Sequence, residues 1–116
     1  MSLADCLFCK IAMGSIPSER VAETERVLAF RDINPAAPTH VLLIPKEHVV
    51  DSAAQIQGEH GAILAELFAL AARVAADEGL RNGWRLVTNV GAGAGQSVFH
   101  LHVHLLGGRP LGWPPG

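Results

Sequence analysis

The sequence predicts an α+β fold: a mostly antiparallel sheet with one long helix laid across it. Short apolar runs, each closed by proline, glycine or a polar turn, recur along the chain as strands do. One central stretch, residues 58–78, switches to helical spacing. Strands and helices do not alternate one for one, so the strand–helix–strand rhythm of a parallel sheet is missing.

Residues 6–13 (CLFCKIAM) form a short helix or turn with Leu7, Phe8 and Ile11 on one side, ended by Gly14 and Pro17. Residues 27–30 (VLAF) form a strand, broken by Asp32-Ile33-Asn34-Pro35 and Pro38. Residues 40–44 (HVLLI) form a second, stopped by Pro45. Within 58–78, Ile63, Leu67, Leu70 and Val74 recur at helical spacing, and Leu64, Phe68 and Ala71 widen the stripe. Gly79 suits the left-handed residue just past a helix end. At 1.5 Å per residue this helix is roughly 30 Å long, enough to cover one sheet face. Residues 84–88 make a third strand, GAGAGQS a loop, and residues 98–106 a fourth strand. The closing WPPG cannot be helical, so the chain reads as one domain, 1–116, with an extended tail from about 107 to 116.

Composition narrows the function classes. A chain of 116 residues, 49% hydrophobic and 17% charged, has the makings of a folded two-layer domain. A net charge of −2, a pI near 6.3 and no Lys/Arg cluster argue against a nucleic-acid partner. No signal-like segment and no bilayer-length apolar run are evident, so a cytoplasmic protein without a membrane partner is expected.

The segment SVFHLHVHLLGG, residues 97–108, holds three of the six histidines. His100, His102 and His104 alternate with Leu101 and Val103, which is the period of a strand. One face would bury leucine and valine while the other presents three imidazoles. Neighbouring histidines on such a face have Cα atoms roughly 6.6 Å apart and the outer two about 13 Å, which disfavours a simple three-histidine zinc centre. A lone strand histidine is usually structural, but three on one face have no packing advantage. Nucleophilic catalysis explains them better. Neutral imidazole, with an ordinary pKa of about 6.5, attacks phosphorus near neutral pH, and a neighbouring histidine can fix the tautomer or move a proton. In the loop before it, Gly91, Gly93 and Gly95 let backbone N–H groups turn toward an anion, although glycines alone make only a turn. Ser97 can donate a hydrogen bond to a phosphate or a leaving group. No Walker lysine accompanies them, so a kinase-type phosphate site is not expected.

His100-Leu101-His102-Val103-His104-Leu105-Leu106 resembles the His-x-His-x-His-x-x signature of the histidine-triad (HIT) superfamily. CLFCKIAMGSIPS, VLAFRDINPAAPTHVLLIPKEH and GQSVFHLHVHLLGGRPLGWPPG resemble its Hint branch and cover most of the chain; the central helix is least specific. The Gly-Gly-Arg-Pro run and Trp113 favour that branch over the diadenosine-polyphosphate hydrolases. His104, where the uridylyltransferase branch carries glutamine, favours hydrolysis over nucleotidyl transfer.

The resemblance implies a five-stranded sheet with one long and one short helix, joined into a ten-stranded sheet in a homodimer. It also implies roles. His102 would be the nucleophile, His104 would contact the phosphate, and His40 would join the proton relay. His100 is the first triad histidine, and Ser97 would assist the leaving group. Asn89 with the Gln96 and Ser97 backbone would hold the α-phosphate, Gly95 would join the nucleotide contacts, and Asp32 would bind the ribose hydroxyls. Leu7, Phe8, Ile11, Phe30 and Ile33 would make the purine slot, and the tail with Trp113 would reach the partner's site. Without the resemblance, those five apolar residues are simply core and Asp32 a turn-former.

Cys6-x-x-Cys9 stays open between two small buried residues and half of a zinc site. A redox pair would want a preceding strand. The resemblance implies Cys6, Cys9, His48 and His100 as ligands of a structural zinc, with no cofactor required for catalysis. Two function classes follow. One is a hydrolase of purine nucleoside phosphoramidates or adenylates, with AMP, GMP and related compounds as ligands. The other is a nucleotide-binding interaction module with incidental turnover. A pure binder has no need of the set His40, Ser97, His102 and His104.

Overall fold

Residues 5–116 are described by a computed structural model. In chain order the elements are α1 (Leu7–Met13), β1 (Arg20–Glu23), β2 (Val27–Arg31), β3 (Thr39–Pro45), α2 (Gly61–Asp77), β4 (Trp84–Val87) and β5 (Val103–Gly107). The strands form one sheet in the order β1-β2-β3-β5-β4, every neighbouring pair antiparallel. The expected α+β architecture holds.

Strand parity sorts the side chains into two layers. Val27, Ala29, Val41, Leu43, Val103 and Leu105 point to one face, where Ile63, Leu67, Leu70 and Val74 of α2 meet them. Leu28, Phe30, Leu42 and Ile44 point to the other, against Cys6, Phe8 and Ile11. Coverage of both faces is why β2 and β3 are almost continuously apolar instead of alternating. Leu67 is fully buried at the centre of the α2 layer, and trimming it to alanine costs about 2–5 kcal/mol.

Several expectations change in detail. The long helix starts at Gly61, because residues 58–60 form a 3₁₀ turn in which His60 Nδ1 accepts from the Gln57 N–H at 2.9 Å. Its stripe is narrower than expected: Ala71 is buried, but Phe68 is 53% exposed. Gly79 does take the left-handed conformation, with φ 72°. Strand β1 carried little periodic signal, because it has four residues and a bulge between Arg20 and Ala22.

The expected strand over 98–106 is corrected to Val103–Gly107, so only His104 of the triad lies in the ladder. The backbone before it finds other partners. Leu101 N–H donates to the Val50 carbonyl, and the His102 carbonyl accepts from the Thr88 hydroxyl. Strand β3 ends at Pro45, whose carbonyl accepts from the His100 ring instead of from a ladder amide. Even so, all three imidazoles lie on the α1 side. Phe8 meets the rings of His100 and His102 edge-on, at 5.9 and 4.9 Å between centroids, and His102 lies 5.1 Å from His104.

Candidate active site and metal centre

Backbone carbonyls and amides set the proton on each ring. A carbonyl oxygen only accepts, so the 2.8 Å contact between His102 Nδ1 and the His100 carbonyl places a hydrogen on Nδ1. Neutral His102 therefore carries its lone pair on Nε2. The Ala36 N–H donates to His40 Nδ1 at 2.9 Å, so the His40 hydrogen sits on Nε2. That Nε2–H faces His104 Nδ1 at 2.9 Å and Asp32 Oδ2 at 3.4 Å. Donation to His104 leaves the His104 hydrogen on its own Nε2. The chain Ala36–His40–His104 is thus a directed run of hydrogen bonds fixed from the backbone.

Burial favours the neutral form of His102 and His104. It lowers the His102 pKa below the ordinary 6.5, against the opposing pull of the His100 carbonyl and Asp32. It lowers His104 to about 4, helped by repulsion from His102 and His40. Uncharged imidazole is the form in which a nitrogen lone pair is free to attack.

His100 belongs to a different cluster. Its Nε2–H donates to the Pro45 carbonyl at 2.8 Å, leaving the Nδ1 lone pair 3.2 Å from Cys6 Sγ and 3.5 Å from Cys9 Sγ. His48 is built alike. Its Nε2–H donates to Asp51 Oδ1 at 2.6 Å, and Nδ1 lies 3.9 Å from Cys9 Sγ. One ligand atom from each of Cys6, Cys9, His48 and His100 falls within 4.8 Å of the others. Two thiols and two imidazoles, each ring held through its far nitrogen, suit a tetrahedral zinc ion. Desolvation, then hydrogen bonding and charge repulsion from Cys6, push the Cys9 thiol up to about 11. Asp32, His40 and His104 also converge within 4.8 Å, but the His40 nitrogen facing the others carries hydrogen, so that trio shares a proton.

The loop between β4 and β5 turns on two left-handed glycines, Gly91 at φ 84° and Gly95 at φ 94°. An ideal Cβ on Gly95 would sit 3.9 Å from Asn89 Nδ2, so those two residues adjoin. Ser97 is exposed just beyond the buried Gln96. Asp32 starts a tight turn in which its Oδ1 accepts from the Asn34 N–H at 2.8 Å.

Of the apolar residues expected around a base, Phe8, Ile11 and Phe30 are buried together, whereas Leu7 is 42% and Ile33 92% exposed. Trp113 is 82% exposed and lies against the Arg85 guanidinium, 5.9 Å away, beside β4 at the outer edge of the sheet. Sequence reasoning missed two residues here. Asp51 tethers His48, and its i+3 spacing from that histidine was the signal. Thr88 tethers the His102 carbonyl, and nothing in its local pattern pointed to that contact.

An open antiparallel sheet with backbone-locked imidazoles on one face defines a histidine-cluster site of the histidine-triad kind. Residues 13–111 match the HIT domain family, and the chain belongs to it. It is 52% identical over 111 residues to the 14 kDa zinc-binding protein of Zea mays, covering 95% of this chain and 87% of that protein. Two solved structures are each 50% identical to it. The HIT family hydrolase of Clostridium thermocellum superposes with a TM-score of 0.91, covering 96% of both chains. That of Legionella pneumophila superposes with a TM-score of 0.92, covering 97% of this chain and 100% of its own.

Proposed function

We propose that the protein is a purine nucleoside phosphoramidase or adenylyl hydrolase working through a nucleotidyl-histidine intermediate. The observation that carries this reading is the His102 tautomer: Nδ1–H is committed to the His100 carbonyl, so Nε2 presents its lone pair. In the first step Nε2 forms a bond to the α-phosphorus of an AMP or GMP phosphoramidate. The bond to the leaving amine breaks, and the amine takes a proton passed from solvent through the exposed Ser97 hydroxyl. In the second step water attacks phosphorus and gives up its proton to solvent, the Nε2–phosphorus bond breaks, and the nucleotide leaves. The His104 Nε2–H contacts the phosphate, backed by His40.

Asn89, Gly95 and the Gln96 and Ser97 backbone line the α-phosphate. Asp32 takes the ribose diol, and Phe8, Ile11, Phe30, Leu7 and Ile33 line the base. Zinc at Cys6, Cys9, His48 and His100 would tie α1 to the segment leading into the triad; it takes no part in the chemistry.

The active form is a two-fold homodimer. Strand β4 ends the sheet with its outer backbone groups unpaired, and Trp84 on it is 40% exposed. A cleft of about 610 Å³ runs beside it, lined by Leu80, Trp84, Arg85, Arg109 and Leu111 among others. Pairing β4 with a second copy removes the edge and brings each tail, with Trp113, toward the partner's site. Among the described residues no helix is long and apolar enough to cross a membrane. Turnover of adenosine 5′-phosphoramidate by purified protein tests the reading. Release of AMP that vanishes in His102→Ala is expected, and equal release by both proteins contradicts it.

A further inference from the structure

We infer that the Gln96 side chain is a positioning residue that shapes the phosphate-binding turn. This rests on the nucleotide-hydrolase reading of the site. Between residues 88 and 99 every residue is exposed or half-buried except Gln96, which is 5% exposed. A long polar side chain buried in an otherwise open glycine loop is costly unless both ends of its amide are satisfied. Here both are. Oε1 accepts from the Gly91 N–H at 2.8 Å, and Nε2 donates to the carbonyls of Asp51 at 2.9 Å and Val98 at 3.1 Å.

These bonds do two things. The Gln96 backbone N–H also donates to the Gly91 carbonyl at 3.1 Å, so one residue closes the turn from both sides, by main chain and by side chain. The turn carries both left-handed glycines and the 3₁₀ segment Ala92–Ala94, which five small residues could not hold in one shape alone. The Nε2 donor then fastens the closed turn to Asp51, whose carboxylate holds His48. The phosphate-facing backbone is thereby referenced to the rigid side of the histidine site. Gln96 touches no reacting atom; it sets where the N–H groups point.

A role in phosphate positioning separates from a general structural role by what it leaves alone. Gln96→Met keeps the volume and removes all three side-chain bonds. Gln96→Asn keeps the amide but withdraws it by one methylene. Titration calorimetry with AMP and with adenosine on each variant reads the split. Both variants are expected to bind AMP at least tenfold more weakly and adenosine within twofold of wild type, with kcat for an adenosine phosphoramidate falling as well. Parallel weakening of AMP and adenosine, or an unchanged AMP affinity, overturns the role of Gln96 while the nucleotide reading stands. Wild-type protein that binds AMP no better than adenosine removes the phosphate site itself, and the inference falls with that reading.

Discussion

Replacing His104 by asparagine should remove a defined part of the protein's sensitivity to acid. Asparagine Oδ1 stands close to where His104 Nδ1 was, so the His40 Nε2–H keeps an acceptor while the titrating ring is gone. In the folded protein burial, then repulsion from His102 and His40, holds the His104 pKa at about 4, with Asp32 the one group pulling upward. In the unfolded chain it returns to about 6.5. The unfolded state therefore binds more protons between those values, and stability falls as pH falls. The His104 contribution is fully present above pH 6.5 and is spent near pH 4. At roughly 1.4 kcal/mol per pH unit the whole effect is about 3 kcal/mol, and about 2 kcal/mol of it is lost by pH 5. That is a large share of a typical domain's 5–15 kcal/mol. Urea unfolding at pH 7.5 and pH 5.0, both with chelator so that the cysteine cluster stays metal-free, gives the two free energies. His104→Asn should lose about 2 kcal/mol less than wild type between the two pH values. An identical loss in both proteins would refute the neutral, buried relay.

Other predictions concern the metal, the dimer and the ribose contact. Protein made without an affinity tag should carry one zinc, and Cys9→Ser should lower both zinc content and melting temperature; no zinc and an unchanged melting temperature reject the Cys6, Cys9, His48 and His100 site. Light scattering at micromolar concentration should give the dimer mass, and a monomer that still turns over substrate contradicts the edge-pairing proposal. Asp32→Ala should raise KM about tenfold with kcat within roughly threefold, because hydrogen bonds to a ribose diol are made in ground and transition states alike. A fall confined to kcat would place Asp32 in the proton relay with His40 instead.

Much of the fold was legible because its signals were local. The α2 stripe, the apolar runs of β2 and β3 and the Gly79 stop are consequences of burial periodicity and backbone freedom, and each is present, with α2 starting three residues later and its stripe narrower than expected. Strand β1 was not legible, since Val21 and Ala22 are its only residues packed on the core and a bulge disturbs its alternation. The triad read as one strand face because alternation is all a sequence displays. The structure splits it: His104 is held by the ladder, His102 by its own upstream carbonyl, and His100 is turned to the cysteines. Those choices depend on groups distant in sequence, the Pro45 and Val50 carbonyls and the Thr88 hydroxyl, which no spacing rule brings together. The buried Gln96 amide was hidden for the same reason. Val98 is a near neighbour, but Asp51, which also accepts from it, lies 45 residues upstream on the far side of α2.

The central claim is that His102 Nε2 bonds to the nucleotide's phosphorus. Mass spectrometry of protein quenched during turnover of adenosine 5′-phosphoramidate tests it most directly, with peptide fragmentation to place the adduct. An AMP adduct on His102, absent in His102→Ala, is the result expected. An adduct on another residue, or turnover that survives in His102→Ala, would contradict the covalent route.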